Sequence, residues 1–193
     1  MPLEEWFDSY QYEIDYDIGE SGVKYPNFGA LGLDLGHVQL RYGHHRGNPE
    51  LRSLISEQYE GFDPDQIAVT TGSSEANFAI IASLVGSSDH MIVEHPNYPS
   101  LYEVPRSVGL SHDLFRILHE ERFKPELGKL QGLIRPRTKL VTLTHPNNPT
   151  GSVISEQTLR EVVELVESRD AYLLHDETYE SYLSRSPRLQ QRS

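Results

Sequence analysis

KLVTLTHPNNPTGSVISEQTLREVVELVESRDAYLLHDE, residues 139–177, is the stretch whose reading decides the fold. It opens with a β-branched apolar run, KLVTLTHP, and closes with another, AYLLHDE. Between them SEQTLREVVELVESRD repeats apolar residues at helical spacing, with Ser155 placed as its N-cap. Strand, amphipathic helix and strand in that order make a βαβ unit, whose two strands lie parallel in one sheet.

The same alternation extends toward the N-terminus as far as Pro49. IAVTTG (67–72) reads as a strand, EANFAIIASLVG (75–86) as a helix, HMIVEHP (90–96) as a strand and YPSLYEVPRSVG (98–109) as a helix. HDLFRI (112–117) and PELGKLQGLI (125–134) supply a further strand and helix. Five strands separated by helices predict an α/β fold: a three-layer α/β/α arrangement around a mostly parallel sheet. Ligands of such sheets bind beyond the carboxyl ends of the strands. Segments marked by Pro or Gly stand at those ends: TTGSSEA, EHPNYPS and THPNNPTG.

Composition narrows the function. The chain has 193 residues, a net charge of −12 and no cysteine. The last eleven residues hold Arg185, Arg188 and Arg192 without an acid, so the body is more acidic than the whole. Such a field repels nucleic acid and anionic membranes. Disulfide frameworks, thiolate-ligated zinc and thiol nucleophiles are excluded with cysteine. The acidic N-terminus MPLEEWFDSYQYEIDYDIGE has no apolar core, and no stretch approaches bilayer length, so a cytoplasmic protein is expected.

Four segments could carry chemistry. In TTGSSEANFAI, Ser73 or Ser74 is placed to cap a helix and leave the N–H groups of Ser74, Glu75 and Ala76 as an anion socket. A plain capped helix has the same pattern. In HDETYESY, Asp176 leaves an apolar strand with Tyr179 three residues on, and a carboxylate there needs a partner, either a ligand cation or an arginine of the chain. In THPNNPTG, Asn148 before Pro149 is held out of helical geometry, which suits either a fixed contact to a ligand or a simple turn. In EHPNYPSLY, the rings of Tyr98 and Tyr102 could stack on a planar ligand or cover the sheet.

Together these segments resemble the class I/II aminotransferases of the fold type I, pyridoxal-phosphate-dependent group, over residues 15–182. YGHHRGNPELR (42–52) is similar to the family's Y-x-x-x-x-G-x-x-x-L-R, and HPNNPTG and DETY match two further signatures. The resemblance implies the large domain of such an enzyme, incomplete on its C-terminal side, with pyridoxal 5'-phosphate as cofactor. It implies a phosphate socket at Gly72, Ser73 and Ser74 and a ring-stacking aromatic at Tyr98. Asn148 and Tyr179 would meet the cofactor's phenolic oxygen, and Asp176 its pyridine nitrogen. Tyr42 would reach the phosphate of a neighbouring subunit in a homodimer, and the Asn148–Pro149 bond would be cis. YDIGESGVKY (16–25) stands in place of a substrate-covering segment. GESGVK paired with EHPNYPSLYEV is similar to the capreomycidine-synthase-like branch, which implies an arginine-derived substrate.

The resemblance also implies a Schiff-base lysine downstream of Asp176, yet the lysines here are Lys24, Lys124, Lys129 and Lys139. Lys24 reads as a surface lysine rather than a substitute. The expected organisation is an N-terminal arm and covering segment at 1–45, a partial cofactor-binding domain at 46–182, and a disordered or out-of-frame tail at 183–193. The expected function is that of a truncated aminotransferase, inactive alone, whose intact relatives move an amino group between an amino acid and a 2-oxo acid. The alternatives are a non-catalytic protein that dimerises with a full-length paralogue, and one half of a split enzyme.

Overall fold

The computed structural model describes residues 1–23 and 25–183, so Lys24 and all of the expected tail but Leu183 lie outside the described residues. Four strands form one parallel sheet in the order β2-β1-β3-β4: β1 is His90–His95, β2 Ser111–Arg116, β3 Thr138–Thr144 and β4 Tyr172–Asp176. The helices are α1 Pro2–Tyr10, α2 Pro49–Ser56, α3 Ser73–Leu84, α4 Ser100–Ser107, α5 Leu127–Leu133 and α6 Glu156–Glu167.

Alternate strand residues feed two cores, one on each face of the sheet. Ile92, Phe115, Val141 and Leu143 pack with Leu130 of α5 and with Leu159, Val162 and Val166 of α6. Met91, Val93, Leu140 and Leu174 face the other way, toward Ile81 of α3 and Leu101 of α4. Burial on both faces explains why the strands read as continuous apolar runs. The three-layer α/β/α expectation is met. Helix α6 begins where its sequence says it should, with the Ser155 hydroxyl accepting the Thr158 N–H at 3.1 Å. Leu159, Val162 and Val166 then fall on one stripe and are buried, as helical periodicity requires.

One expected strand is absent. Residues 67–72 have no strand pairing; the Val69 N–H goes instead to the Arg46 carbonyl at 2.9 Å. A strand exists through its ladder, and among the described residues no neighbour offers this segment one. The β-branched composition of IAVTTG therefore marks a strand former that lacks a partner here. Among the described residues of 11–48 there is neither helix nor strand, and Ile18, Leu40 and Tyr42 in this arm are almost wholly exposed. Among the described residues no helix is long and apolar enough to cross a membrane.

Candidate functional site

Because the strands are parallel, their carboxyl ends open on one side, and a cleft of about 700 Å³ lies there. Every residue expected at the cofactor site except Tyr42 lines it: Gly72, Ser73, Ser74, Tyr98, Asn148, Asp176 and Tyr179. Tyr42 is fully exposed on the N-terminal arm and takes no part in the cleft of its own chain.

The start of α3 differs from the expectation. Neither Ser73 nor Ser74 caps the helix; Gly72 does, at φ +82°, a backbone conformation that glycine adopts without a Cβ penalty. The first helical bond runs from the Ala76 N–H to the Gly72 carbonyl at 3.5 Å, so the outward-facing N–H groups belong to Ser73, Ser74 and Glu75. The socket is thus shifted by one residue, and the positive end of the α3 dipole still points into the cleft.

Asp176 closes β4 inside the cleft. Its Oδ1 accepts the N–H and hydroxyl of Thr178 at 3.0 and 2.7 Å, and its Oδ2 accepts Asn77 Nδ2 at 3.3 Å. Among the described residues it has no cationic partner, so the alternative of a structural arginine pair finds no support there. Asn148 follows β3 through a cis bond to Pro149, as expected, and its Nδ2 donates to the Tyr179 hydroxyl at 3.3 Å. These two groups were expected to share one oxygen of a ligand. They stand together.

Several residues of the site left no readable signal in the sequence. Helix α1 lays Glu4, Phe7 and Asp8 over the cleft, and Glu4 Oε1 accepts the Tyr98 hydroxyl at 2.6 Å. Burial, with the Glu4 carboxylate beside it, pushes the Tyr98 phenol up to about 12. Ser21 of the expected covering segment lies 2.7 Å from the Tyr179 hydroxyl. Asn77 meets Asp176 across 99 positions of chain, a distance over which no local pattern reports. Beneath the cleft Glu94 is buried, and that burial pushes its carboxyl up to about 7 against hydrogen bonds from Thr144 and Asn147. His145 is held down to about 4 by burial and by His175, whose ring stacks on it at 6.1 Å.

The donor set fits a planar phosphorylated pyridine. It offers backbone N–H groups for the phosphate, an aromatic wall in Tyr98, paired donors in Asn148 and Tyr179, and a carboxylate held by neutral groups in Asp176.

Comparison with known proteins identifies the family. The family model for aminotransferase class I and II matches residues 29–192. A probable aspartate/prephenate aminotransferase from Thermus aquaticus is 34% identical over 151 residues, 76% of this chain and 39% of its own. Capreomycidine synthase from Streptomyces vinaceus is 30% identical over 197 aligned positions, 97% of this chain and 51% of its own. Among solved structures, a PLP-dependent aminotransferase from Streptococcus suis superimposes with a TM-score of 0.83 at 35% identity, covering 91% of this chain and 50% of that one. The chain spans half or less of the length of most of these relatives.

Proposed function

The chain belongs to the aminotransferases of class I and II, and from that membership we propose that its cleft holds pyridoxal 5'-phosphate for amino-group transfer between an amino acid and a 2-oxo acid. The observation that carries this is convergence. Residues from four separate segments, each with its own sequence signature, line a single cleft.

In this reading the N–H groups of Ser73, Ser74 and Glu75 hold the phosphate, and the Tyr98 ring covers one face of the pyridine. Asn148 and Tyr179 donate to its phenolic oxygen. Asp176 stands at the ring nitrogen and keeps it protonated, because an anion beside a base favours its charged form. When bound, the cofactor supplies an electron sink for the substrate's α-carbon. Residues 46–182 make up the cofactor-binding part, and residues 1–45 the arm that covers it, in a cytoplasmic protein.

None of the described lysines, Lys124, Lys129 and Lys139, lines the cleft. In this reading the described residues hold the cofactor without a covalent link, since none of them places a lysine for a Schiff base in the cleft. Glu4, Asp8 and Glu20 line the cleft and, among the described residues, no lysine or arginine does, which supports a substrate with a cationic side chain. A second reading, a non-catalytic partner that pairs with an intact paralogue, is favoured by the fully exposed Tyr42 and the apolar arm around it; a homodimer would use the same surface.

Titration of the purified chain with pyridoxal 5'-phosphate, followed by cofactor absorbance and by sizing with and without a full-length relative, tests both. Saturable binding without amino-acid-dependent 2-oxo acid formation supports the first reading. Absence of binding together with co-elution selects the second.

A further inference from the structure

We propose that Glu94 is a positioning residue for the cofactor cleft: from beneath the strand ends it ties the turn carrying Tyr98 to the turn carrying Asn148. The inference rests on the cofactor reading above and goes beyond it, since Glu94 does not itself line the cleft.

Glu94 lies near the end of β1 and is 2% exposed. Its Oε2 accepts the Thr144 N–H at 2.8 Å, Asn147 Nδ2 at 3.2 Å and Asn97 Nδ2 at 3.4 Å. Each donor leads to a wall of the cleft. Asn97 Oδ1 accepts the Tyr98 N–H and the Thr144 hydroxyl, both at 2.8 Å, and so sets where the Tyr98 ring begins. Asn147 precedes Asn148 directly; its Nδ2 also donates to the Pro96 carbonyl at 3.2 Å, and its Oδ1 accepts the Thr150 hydroxyl at 2.7 Å. The two turns, half a hundred residues apart in sequence, are thus closed into one circuit around a single carboxyl oxygen.

Three donors converging on one point require an acceptor there, and a carboxylate offers the most lone pairs. Among the described residues no cation pairs with Glu94. A buried acid without a counter-ion is a poor choice for stability alone, because desolvation works against it. Its usefulness lies in what it holds: the spacing between an aromatic wall and a hydrogen-bonding wall. The phosphate socket at α3 is outside this circuit.

That separation makes the test. The dissociation constants of pyridoxal 5'-phosphate and of inorganic phosphate are measured on the 193-residue chain, wild type, Glu94→Ala and Glu94→Gln. Amide hydrogen exchange of the same proteins is read at Tyr98, Thr144 and Thr150. Glu94→Ala is expected to narrow the preference for pyridoxal 5'-phosphate over inorganic phosphate by about tenfold, the size of one well-made hydrogen bond. It is also expected to speed exchange at those amides, with α6 unchanged. Glu94→Gln, which keeps an acceptor oxygen, is expected to restore most of both. If Glu94→Ala does not fold, Asn97→Ala cuts the same circuit and is read by the same two quantities. An unchanged preference overturns the inference, as does a parallel loss for both ligands with exchange rising equally in α6. A wild-type chain that binds both ligands alike overturns the cofactor reading instead, and the exchange data then decide on Glu94 alone.

Discussion

Replacing Glu94 by Gln should remove a specific pH dependence of stability. In the unfolded chain this carboxyl titrates near its ordinary 4.5, whereas burial in the folded chain raises it to about 7. The folded state therefore holds the proton more tightly than the unfolded one. The resulting stability is complete below pH 4.5 and is lost as pH rises through 7. With 1.36 kcal/mol per pKa unit, the loss between pH 5 and pH 8 comes to roughly 2 to 3 kcal/mol. Urea unfolding of wild type and Glu94→Gln, followed by far-ultraviolet circular dichroism at both pH values, isolates this group, because other titrations cancel in the difference. Wild type minus variant should be roughly 2 to 3 kcal/mol more favourable at pH 5 than at pH 8. A difference that stays constant to within about 0.5 kcal/mol, or that grows toward pH 8, refutes the reasoning.

His145 should act with the opposite sign. Its folded value is depressed to about 4, so its stability is present above 6.5 and lost as pH falls toward 4, and His145→Gln should unfold less readily than wild type on acidification by the same assay. Ser155→Ala removes the acceptor for the Thr158 N–H and should cost about 1 kcal/mol in urea unfolding at neutral pH. Tyr179→Phe deletes the hydroxyl that Asn148 and Ser21 meet and should weaken pyridoxal 5'-phosphate binding by roughly tenfold in an absorbance titration, with inorganic phosphate unaffected.

The sequence made most of the layered fold legible because the central strands β1 and β3 are buried on both faces and α6 on one, which writes two distinct patterns into the chain. IAVTTG failed for the complementary reason: composition reports what a segment can form, whereas pairing depends on a neighbour, and Val69 finds only Arg46. The Gly72 cap was missed because two serines follow it and serine is the commoner cap, while the positive φ that makes glycine necessary is a property of the turn. The seven expected residues that line the cleft were legible because each sits in a short segment with its own signature. Asn77, Glu94 and Glu4 were not, since what makes them matter is contact across the fold: Asn77 with Asp176, Glu94 with Asn147, Glu4 with Tyr98.

The polar groups beneath the cleft have an energetic consequence of their own. Glu94 hangs from β1 and His145 follows β3 directly, so two titratable groups are buried under neighbouring strand ends, where an apolar core would be more stable. Their directions oppose: the carboxyl favours the fold in acid, the imidazole in weak base. Over the pH range in which Glu94 loses its contribution His145 gains one, so the two variants should diverge in pH dependence while the wild type changes less than either. What the site requires of its supports, acceptors and donors at fixed points under two turns, is thereby met with a smaller pH sensitivity than either group would impose alone.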